Sequence, residues 1–135
     1  LNWQGRPVTL IDASYNANPD SVLAAIDLLA AMPGPRWLVL GDMGEVGTQG
    51  PQFHAEVGAR ARAVGIEAVW AVGALCAHLG ADRYFENMAD LLADVSAALK
   101  GSATRSVLVK GSRFMKMEQV VHAIKAAAAG GPHAA

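Results

Sequence analysis

The chain has 135 residues, a formal net charge of −1 and one cysteine, Cys76. Its length fits a single domain with its own core, and the lone cysteine excludes an internal disulfide and fits a reducing cytosol. Because lysine and arginine residues do not cluster, the charge pattern argues against binding to nucleic acid or to a membrane surface. No apolar run in the sequence approaches the roughly 20 residues of a membrane-spanning helix.

The N-terminal residues predict a short antiparallel hairpin. Leu1–Trp3 and Pro7–Asp12 are rich in strand-forming residues, and Gln4 and Gly5 between them favour a turn. The chain does not begin with methionine and starts almost within a strand, so we expect it to be an excised part of a longer protein.

Strand-like and helix-like segments alternate in the rest of the chain. Asn18 and Pro19 are typical of a helix start, with asparagine as the N-cap and proline in the first turn. Further strands are predicted at Arg36–Gly41, Ala68–Val72, Arg83–Phe85 and Ser106–Val109, and helices at about 19–32, 51–64, 75–79, 88–99 and 115–127.

This alternation is typical of parallel βαβ units with right-handed crossovers. The predicted fold class is α/β: a Rossmann-like, open and mostly parallel sheet of about five to six strands, with helices on both faces and an antiparallel N-terminal hairpin. We expect one domain over residues 1–127 and a disordered tail over residues 128–135.

Three polar, glycine-containing loops follow predicted strands, at Asp12–Asn18, Asp42–Gly50 and Lys110–Arg113. Parallel sheets bind ligands at the carboxyl ends of their strands, so these loops are the candidate site. The sequence contains no GxxxxGK[ST] phosphate-binding loop, no GxGxxG fingerprint and no pattern typical of a Ser-His-Asp nucleophile. We therefore expect binding residues, and no catalytic residue, in this chain.

The first loop offers groups that suit a nucleoside. Asp12 ends a strand, where a carboxylate can accept hydrogen bonds from ribose hydroxyls. Tyr15 offers a flat ring, and the Asn16 amide can both donate and accept. In the alternative interpretation, Asn18 caps the helix and Asn16 satisfies the backbone of its own loop. The cap is favoured for Asn18, and the residues leave the other choice open.

The second loop carries Asp42 and Glu45 among four glycines, at positions 41, 44, 47 and 50. The two acids could orient an ammonium group or a metal-bound water. The alternative is a flexible surface loop whose acids are solvated, as such loops commonly are.

The third loop places Lys110, Ser112 and Arg113 between a buried strand and a helix start. Free N–H groups at a helix start, together with a guanidinium that can bind a carboxylate through two hydrogen bonds, predict an anion site for a carboxylate or a phosphate. In the alternative, Ser112 caps the helix and both cations are solvated. The anion site is slightly favoured because Lys110 directly follows the buried strand.

Three further residues could bind a metal or act in catalysis. Cys76 and His78 form an isolated CxH pair with too few ligands for zinc, so a structural role is favoured. His54 lies at the start of a predicted helix beside the second loop, where a structural role is favoured and a catalytic one stays open. We expect no metal ligands in this chain.

Four segments carry a family resemblance: SYNANPDS (14–21), LGDMGEVG (40–47), FHAEVG (53–58) and VKGSRFMKMEQVV (109–121). In their order and spacing the sequence resembles the C-terminal domain of the Mur ligases of peptidoglycan synthesis. YNANP together with VKGSR is most similar to the branch of the family that adds D-Ala-D-Ala. The resemblance extends from Pro7 to Ile124.

The resemblance implies an enzyme of three domains, with this one beside a uridine nucleotide domain and a central ATPase domain that holds most of the Mg²⁺ contacts. ATP would phosphorylate the carboxylate of UDP-N-acetylmuramoyl-tripeptide, and the amine of D-Ala-D-Ala would attack the resulting acyl phosphate. This domain would close over ATP and position the dipeptide, and it would be inactive alone. The resemblance also implies a cytoplasmic protein, which we expect to be monomeric.

The resemblance assigns the loop residues to two ligands. Ala13 stands where relatives commonly carry an acid that binds ribose, so Asp12 is the remaining candidate for that contact. The nucleotide-binding residues would be Asp12, Tyr15 and Asn16, and the residues near the dipeptide would be Asp42, Glu45, Lys110, Ser112 and Arg113.

Two other classes of protein remain as alternatives. One is a receiver-like signalling domain, since Asp12, Asp42 and Lys110 at strand ends resemble an acidic pocket with a partner lysine, although Asp42 comes one strand too early. The other is a stand-alone nucleotide-binding module, against which the missing phosphate-binding loop argues.

Overall fold

The computed structural model describes residues 1–3, 5–100 and 102–130. Its strands are β1 Asn2–Trp3, β2 Arg6–Pro7, β3 Thr9–Ala13, β4 Arg36–Gly41, β5 Ala68–Val72, β6 Arg83–Phe85 and β7 Ser106–Lys110. Its α-helices are α1 Pro19–Ala30, α2 Gly50–Ala63, α3 Met88–Lys100 and α4 Glu118–Gly130, and its 3₁₀ turns are Gly47–Gln49, Leu75–His78 and Arg113–Met115. None of the helices within these residues is long and apolar enough to cross a membrane.

The larger sheet is entirely parallel, has five strands and runs in the order β3-β7-β4-β5-β6. Side chains along β4 alternate between two buried clusters: Trp37 and Val39 pack with helices α3 and α4, while Leu38 and Leu40 pack with α1 and α2. A strand that is buried on both faces in this way explains the continuous apolar run in the sequence. The predicted Rossmann-like α/β fold, with helices on both faces, is confirmed.

The N-terminal hairpin is present but shorter than predicted. β1 pairs antiparallel with β2 at Arg6–Pro7, and β3 pairs in parallel with β7. Pro7 suits the short strand because a proline lacks the N–H that an extended ladder requires. The sequence pattern predicted one strand where the structure has two, β2 and β3, because the buried Val8 continues the apolar pattern between them. Gln4, assigned to the predicted turn, lies outside the described residues.

Helix α1 begins as its sequence predicts. The Asn18 side chain accepts a hydrogen bond from the Ser21 N–H (2.9 Å), and the Asn18 N–H donates to the Ser21 hydroxyl (3.0 Å). This reciprocal capping box confirms the N-cap. It also anchors the end of the loop that follows β3.

The C-terminal helix begins and ends later than predicted. Residues 113–115 form a 3₁₀ turn, Lys116 adopts a left-handed backbone (φ 54°), and α4 starts only at Glu118. The left-handed residue interrupts the ladder of helical hydrogen bonds and separates the two turns. At the other end α4 continues through Gly130, so residues 128–130 of the predicted tail are helical, and residues 131–135 lie outside the described part of the chain.

Candidate functional site

The loops that follow β3, β4 and β7 surround a cleft of about 760 Å³ at the carboxyl edge of the sheet. Because β7 lies between β3 and β4, the first and third loops become neighbours although almost a hundred residues separate them in the chain. The cleft is lined by Asn16, Ala17, Gly44, Glu45, Ser112, Arg113, Phe114, Lys116 and Glu118.

Hydrogen bonds join the three loops directly. The Gly44 N–H donates to the Ala17 carbonyl oxygen (2.9 Å), and the Ser112 N–H donates to the Asp42 carbonyl oxygen (3.0 Å). The Lys110 ammonium group donates to the Asn16 carbonyl oxygen (2.8 Å). The cleft therefore has a connected framework rather than three independent loops.

The Ser112 hydroxyl is the most informative polar group in the cleft. Ser112 is 4% exposed, and its Oγ atom has no hydrogen-bond partner among the described residues. A buried hydroxyl without a partner costs about 1–3 kcal/mol. Since the residue lines the cleft, a polar ligand that reached this hydroxyl would supply the missing partner.

Lys110 is a buried cation two residues before Ser112, and it is not among the residues that line the cleft. The residue is 6% exposed, and burial lowers the pKa of its ammonium group. Its nitrogen lies 6.0 Å from the centre of the Tyr15 ring. None of the ion pairs found within the described residues includes Lys110. A buried cation with spare N–H donors and no carboxylate partner is suited to an anionic ligand.

The buried charge of Lys110 predicts a pH effect on stability. The pKa of Lys110 is lower in the folded chain than in the unfolded chain. At pH values between these two pKa values the unfolded chain binds more protons, so the contribution of Lys110 to stability rises with pH in this range. We expect the free energy of unfolding of the wild type, minus that of Lys110→Met, to increase from neutral pH to about pH 10. Urea unfolding of both proteins across this range measures the difference, and a constant or falling difference contradicts the prediction.

Two non-glycine residues of the cleft have left-handed backbones, Glu45 (φ 59°) and Lys116 (φ 54°). Such a conformation costs of order 1 kcal/mol and persists where surrounding contacts determine it. Both residues are exposed, as is Phe114, at 67%. Phe114 and Lys116 were missed by the sequence analysis, although an aromatic residue directly after Arg113 was a usable signal.

Asp42 does not line the cleft. Its carboxylate is buried and accepts hydrogen bonds from the Cys76 N–H (2.9 Å) and the Leu75 N–H (3.2 Å), at the start of the 3₁₀ turn after β5. Both oxygens are therefore bound to backbone, which argues against the predicted contact with an ammonium group. Of the two acids in this loop, Glu45 is the one that reaches the cleft.

The three nucleotide candidates are divided between different environments. Asn16 lines the cleft, and Tyr15 stands beside it with 70% of its surface exposed. Asp12 is exposed but outside the cleft, and it accepts hydrogen bonds from the Ser14 N–H (3.0 Å) and hydroxyl. The hydroxyl bond is the main cause of the lowered pKa of Asp12, to which the positive charge of Lys125 on α4 also contributes.

One group of three potential metal ligands occurs in the described part of the chain: Asp42, His54 and Cys76, with ligand atoms within 4.8 Å of one another. The carboxylate is already bound to N–H groups, and burial raises the pKa of the Cys76 thiol. Mg²⁺ prefers oxygen ligands and several waters, so this buried set does not fit that ion. His78 is exposed and is not part of the group, which agrees with a structural interpretation of the CxH pair.

His54 is buried and bonded on both ring nitrogens. Its Nε2 accepts from the Met43 N–H (3.0 Å), so Nδ1 carries the proton and donates to the Gly50 carbonyl oxygen (2.7 Å). Both nitrogens are thereby occupied by the backbone, and the imidazole does not face the cleft. The structure supports the structural role favoured by the sequence.

Fold and site together define a Rossmann-like α/β domain with a ligand cleft at the carboxyl edge of a parallel sheet. Residues 1–133 match the family described as Mur ligase, glutamate ligase domain. Over 120 residues the chain is 40% identical to the UDP-N-acetylmuramoyl-tripeptide–D-alanyl-D-alanine ligase of Escherichia coli. This alignment covers 86% of this chain and 26% of the Escherichia coli protein. The chain belongs to the Mur ligase family.

Solved structures agree. A crystal structure of MurF from Acinetobacter baumannii is 31% identical to this chain and superposes on it with a TM-score of 0.73. The superposition covers 82% of this chain and 26% of the Acinetobacter baumannii chain. The MurF ligase from Thermotoga maritima in complex with ADP superposes with a TM-score of 0.74, over 96% of this chain and 30% of the Thermotoga maritima chain. Because the two sequences are only 18% identical, this structure supports the fold alone. The chain thus spans about a quarter of the length of the relatives that it matches.

Proposed function

We propose that this chain is the C-terminal domain of the ligase that joins D-Ala-D-Ala to UDP-N-acetylmuramoyl-tripeptide. The names of the curated relatives support this assignment, and so do the chemical groups in the cleft. In this proposal the domain acts in the cytoplasm as part of a longer, monomeric enzyme, together with a uridine nucleotide domain and an ATPase domain, and is inactive alone.

The observation that carries the proposal is the unpartnered Ser112 hydroxyl in a cleft that also holds positive charge. The carboxylate of D-Ala-D-Ala would accept hydrogen bonds from Ser112, Arg113 and the spare N–H groups of Lys110. The Glu45 carboxylate, on the facing loop, would receive the ammonium end of the dipeptide. A dipeptide held at both ends presents its amine in one orientation, which lowers the entropic cost of the attack.

The nucleotide would bind at the Tyr15 side of the cleft. The exposed Tyr15 ring can stack on the adenine, Asn16 can bond to its edge, and Asp12 remains the candidate for the ribose hydroxyls. ATP supplies the phosphoryl group that activates the tripeptide carboxylate. In this proposal Mg²⁺ would be held mainly by the ATPase domain. Closure of this domain would exclude water from a hydrolysable acyl phosphate.

The alternative of a receiver-like domain is disfavoured by Asp42. A phospho-acceptor must be accessible, whereas this carboxylate is buried and bound to the N–H groups of Leu75 and Cys76. A stand-alone nucleotide-binding module remains as the other alternative. Saturable ATP binding by this chain without another domain would favour it over our proposal.

The substitution Ser112→Ala tests the proposed carboxylate site, because it should weaken ligand binding without lowering the stability of the domain. We expect the affinity of the full-length ligase for D-Ala-D-Ala to fall about tenfold, because one hydrogen bond to a charged group is lost. The stability of the domain should stay the same or increase slightly, since the hydroxyl has no partner in the unliganded cleft. Titration calorimetry and thermal unfolding measure the two quantities.

Ser106→Ala is the matched control, because Ser106 begins β7 and Ser112 follows the other end of that strand. The Ser106 hydroxyl donates to the Pro33 carbonyl oxygen (2.8 Å), far from the cleft lining. Its removal should lower stability by about 1 kcal/mol and leave dipeptide affinity unchanged. If Ser112→Ala binds D-Ala-D-Ala as tightly as the wild type, the assignment of Ser112 to an anion site is wrong. If the full-length protein does not turn over ATP with D-Ala-D-Ala and UDP-N-acetylmuramoyl-tripeptide, the proposed function is wrong.

A further inference from the structure

We propose that His54 is a positioning residue for the acceptor side of the cleft: it holds Glu45 in its strained conformation through the backbone of Met43. The expected effect on ligase kinetics rests on the proposed function. The anchoring of the loop by His54 rests on the hydrogen bonds alone. His54 itself does not line the cleft, so any effect on binding must pass through the loop.

The path begins inside α2. The His54 ring is 1% exposed and is locked by the Gly50 carbonyl oxygen, which accepts from Nδ1 at 2.7 Å. This orientation points the unprotonated Nε2 at the Met43 N–H, 3.0 Å away. A rigid buried acceptor thereby fixes one peptide group of the loop after β4.

Three successive residues of that loop are fixed from three directions. The Asp42 carbonyl oxygen accepts from the Ser112 N–H, the Met43 N–H donates to His54, and the Gly44 N–H donates to the Ala17 carbonyl oxygen. Only the middle bond uses a side chain. His54 is thus the one contact of the three that a substitution can remove without altering the backbone.

Glu45 follows directly, and its left-handed backbone (φ 59°) is unfavourable for a residue with a side chain. A strained conformation persists only where neighbouring contacts over-determine it. When the Met43 bond is lost, the loop gains the freedom to release this strain, and the Glu45 side chain leaves the cleft wall. The ligand facing Glu45 should then bind more weakly.

Two conservative variants of His54 isolate this bond. The amide oxygen of His54→Gln can take the position of Nε2 and still accept from Met43, whereas the shorter amide of His54→Asn takes the position of Nδ1 and reaches only the Gly50 side. We expect His54→Asn to raise the KM of the full-length ligase for D-Ala-D-Ala at least tenfold. The kcat and the KM for ATP should change less than about twofold, because uniform binding of one substrate is lost. His54→Gln should remain within about threefold of the wild type in all three constants.

A double-mutant cycle tests whether the effect passes through Glu45. In a Glu45→Ala background, His54→Asn should add little to the KM for D-Ala-D-Ala, because both changes remove the same contact. Full additivity in the cycle, an equal KM increase in both His54 variants, or no increase in His54→Asn would overturn the inference.

Amide hydrogen exchange on the wild-type chain tests the structural part without any variant or assay. The Met43 and Gly44 amides should exchange at least about 100-fold more slowly than the amide of Thr48, an exposed residue of the neighbouring 3₁₀ turn. Fast exchange at Met43 would overturn the inference whatever the ligase activity. Slow exchange in a protein that proves not to use D-Ala-D-Ala would overturn the proposed function while leaving the His54 anchor in place.

Discussion

Replacing Gly58 by alanine is expected to lower the free energy of unfolding by about 3 kcal/mol or more. An added Cβ would lie 1.7 Å from the Leu79 carbonyl oxygen and 2.8 Å from its carbonyl carbon, both of which are backbone atoms. Overpacking of this kind costs about 1–3 kcal/mol where side chains can adjust, and backbone adjusts less readily. The sign is informative, because alanine in place of a helical glycine normally stabilises by about 1 kcal/mol.

The measurement is thermal or urea unfolding of the chain. A loss of this size should lower the melting temperature by roughly 10 °C for a domain of this length. Gly44→Ala is the matched control, because its Cβ would meet the nearest atom, the Ser112 Cβ, at an ordinary 3.5 Å. A Gly58→Ala protein as stable as the wild type would show that α2 does not pack as closely on Leu79 as the structure has it.

Asp42→Ala should be the second strongly destabilising change, with a loss of about 2–5 kcal/mol. The carboxylate accepts the Leu75 and Cys76 N–H groups, and its removal leaves these donors without partners in a buried turn. Asp42→Asn should lie between the wild type and Asp42→Ala, because an amide oxygen can accept from one N–H group while the amide NH₂ meets the other donor. Urea unfolding of the three proteins gives the order.

The same variants decide between two roles for Asp42. As an anchor of the turn after β5, the residue should change stability far more than dipeptide affinity in those molecules that remain folded. Unchanged stability combined with weaker D-Ala-D-Ala binding would restore the contact with an ammonium group that the sequence suggested. Glu45→Gln provides the comparison, since Glu45 is exposed and lines the cleft and should affect binding alone.

Much of the fold could be predicted because its signals are local. The buried run at Arg36–Gly41, the Asn18 cap and the alternation of strand-like and helix-like segments each depend on residues close together in the chain. The errors lie where two signals overlap. Val8 joined two strands into one apolar run, and the left-handed Lys116 divided a segment that reads as one helix.

The candidate site was predicted less completely. The rule for carboxyl ends of parallel strands indicated the three loops that surround the cleft, and Ser112, Arg113 and Glu45 line it. It did not distinguish Glu45 from Asp42, because the partners of Asp42 lie 33 and 34 residues away in the chain. A carboxylate that binds backbone at such a distance looks, in a sequence, like any acid in a glycine-rich loop.

The sequence by itself therefore determined the fold class, the family and the chemical groups at the strand ends, since each is encoded in local patterns and contiguous motifs. Only the tertiary structure decided the strand order, in which β7 separates β3 from β4 and brings Lys110 to Asn16. It also decided which polar groups are buried with partners, as Asp42 and His54 are, and which are buried without one among the described residues, as the Ser112 hydroxyl and the Trp37 indole N–H are. The physical reason is that burial and hydrogen bonding depend on contacts between distant segments, which exist only after the chain has packed.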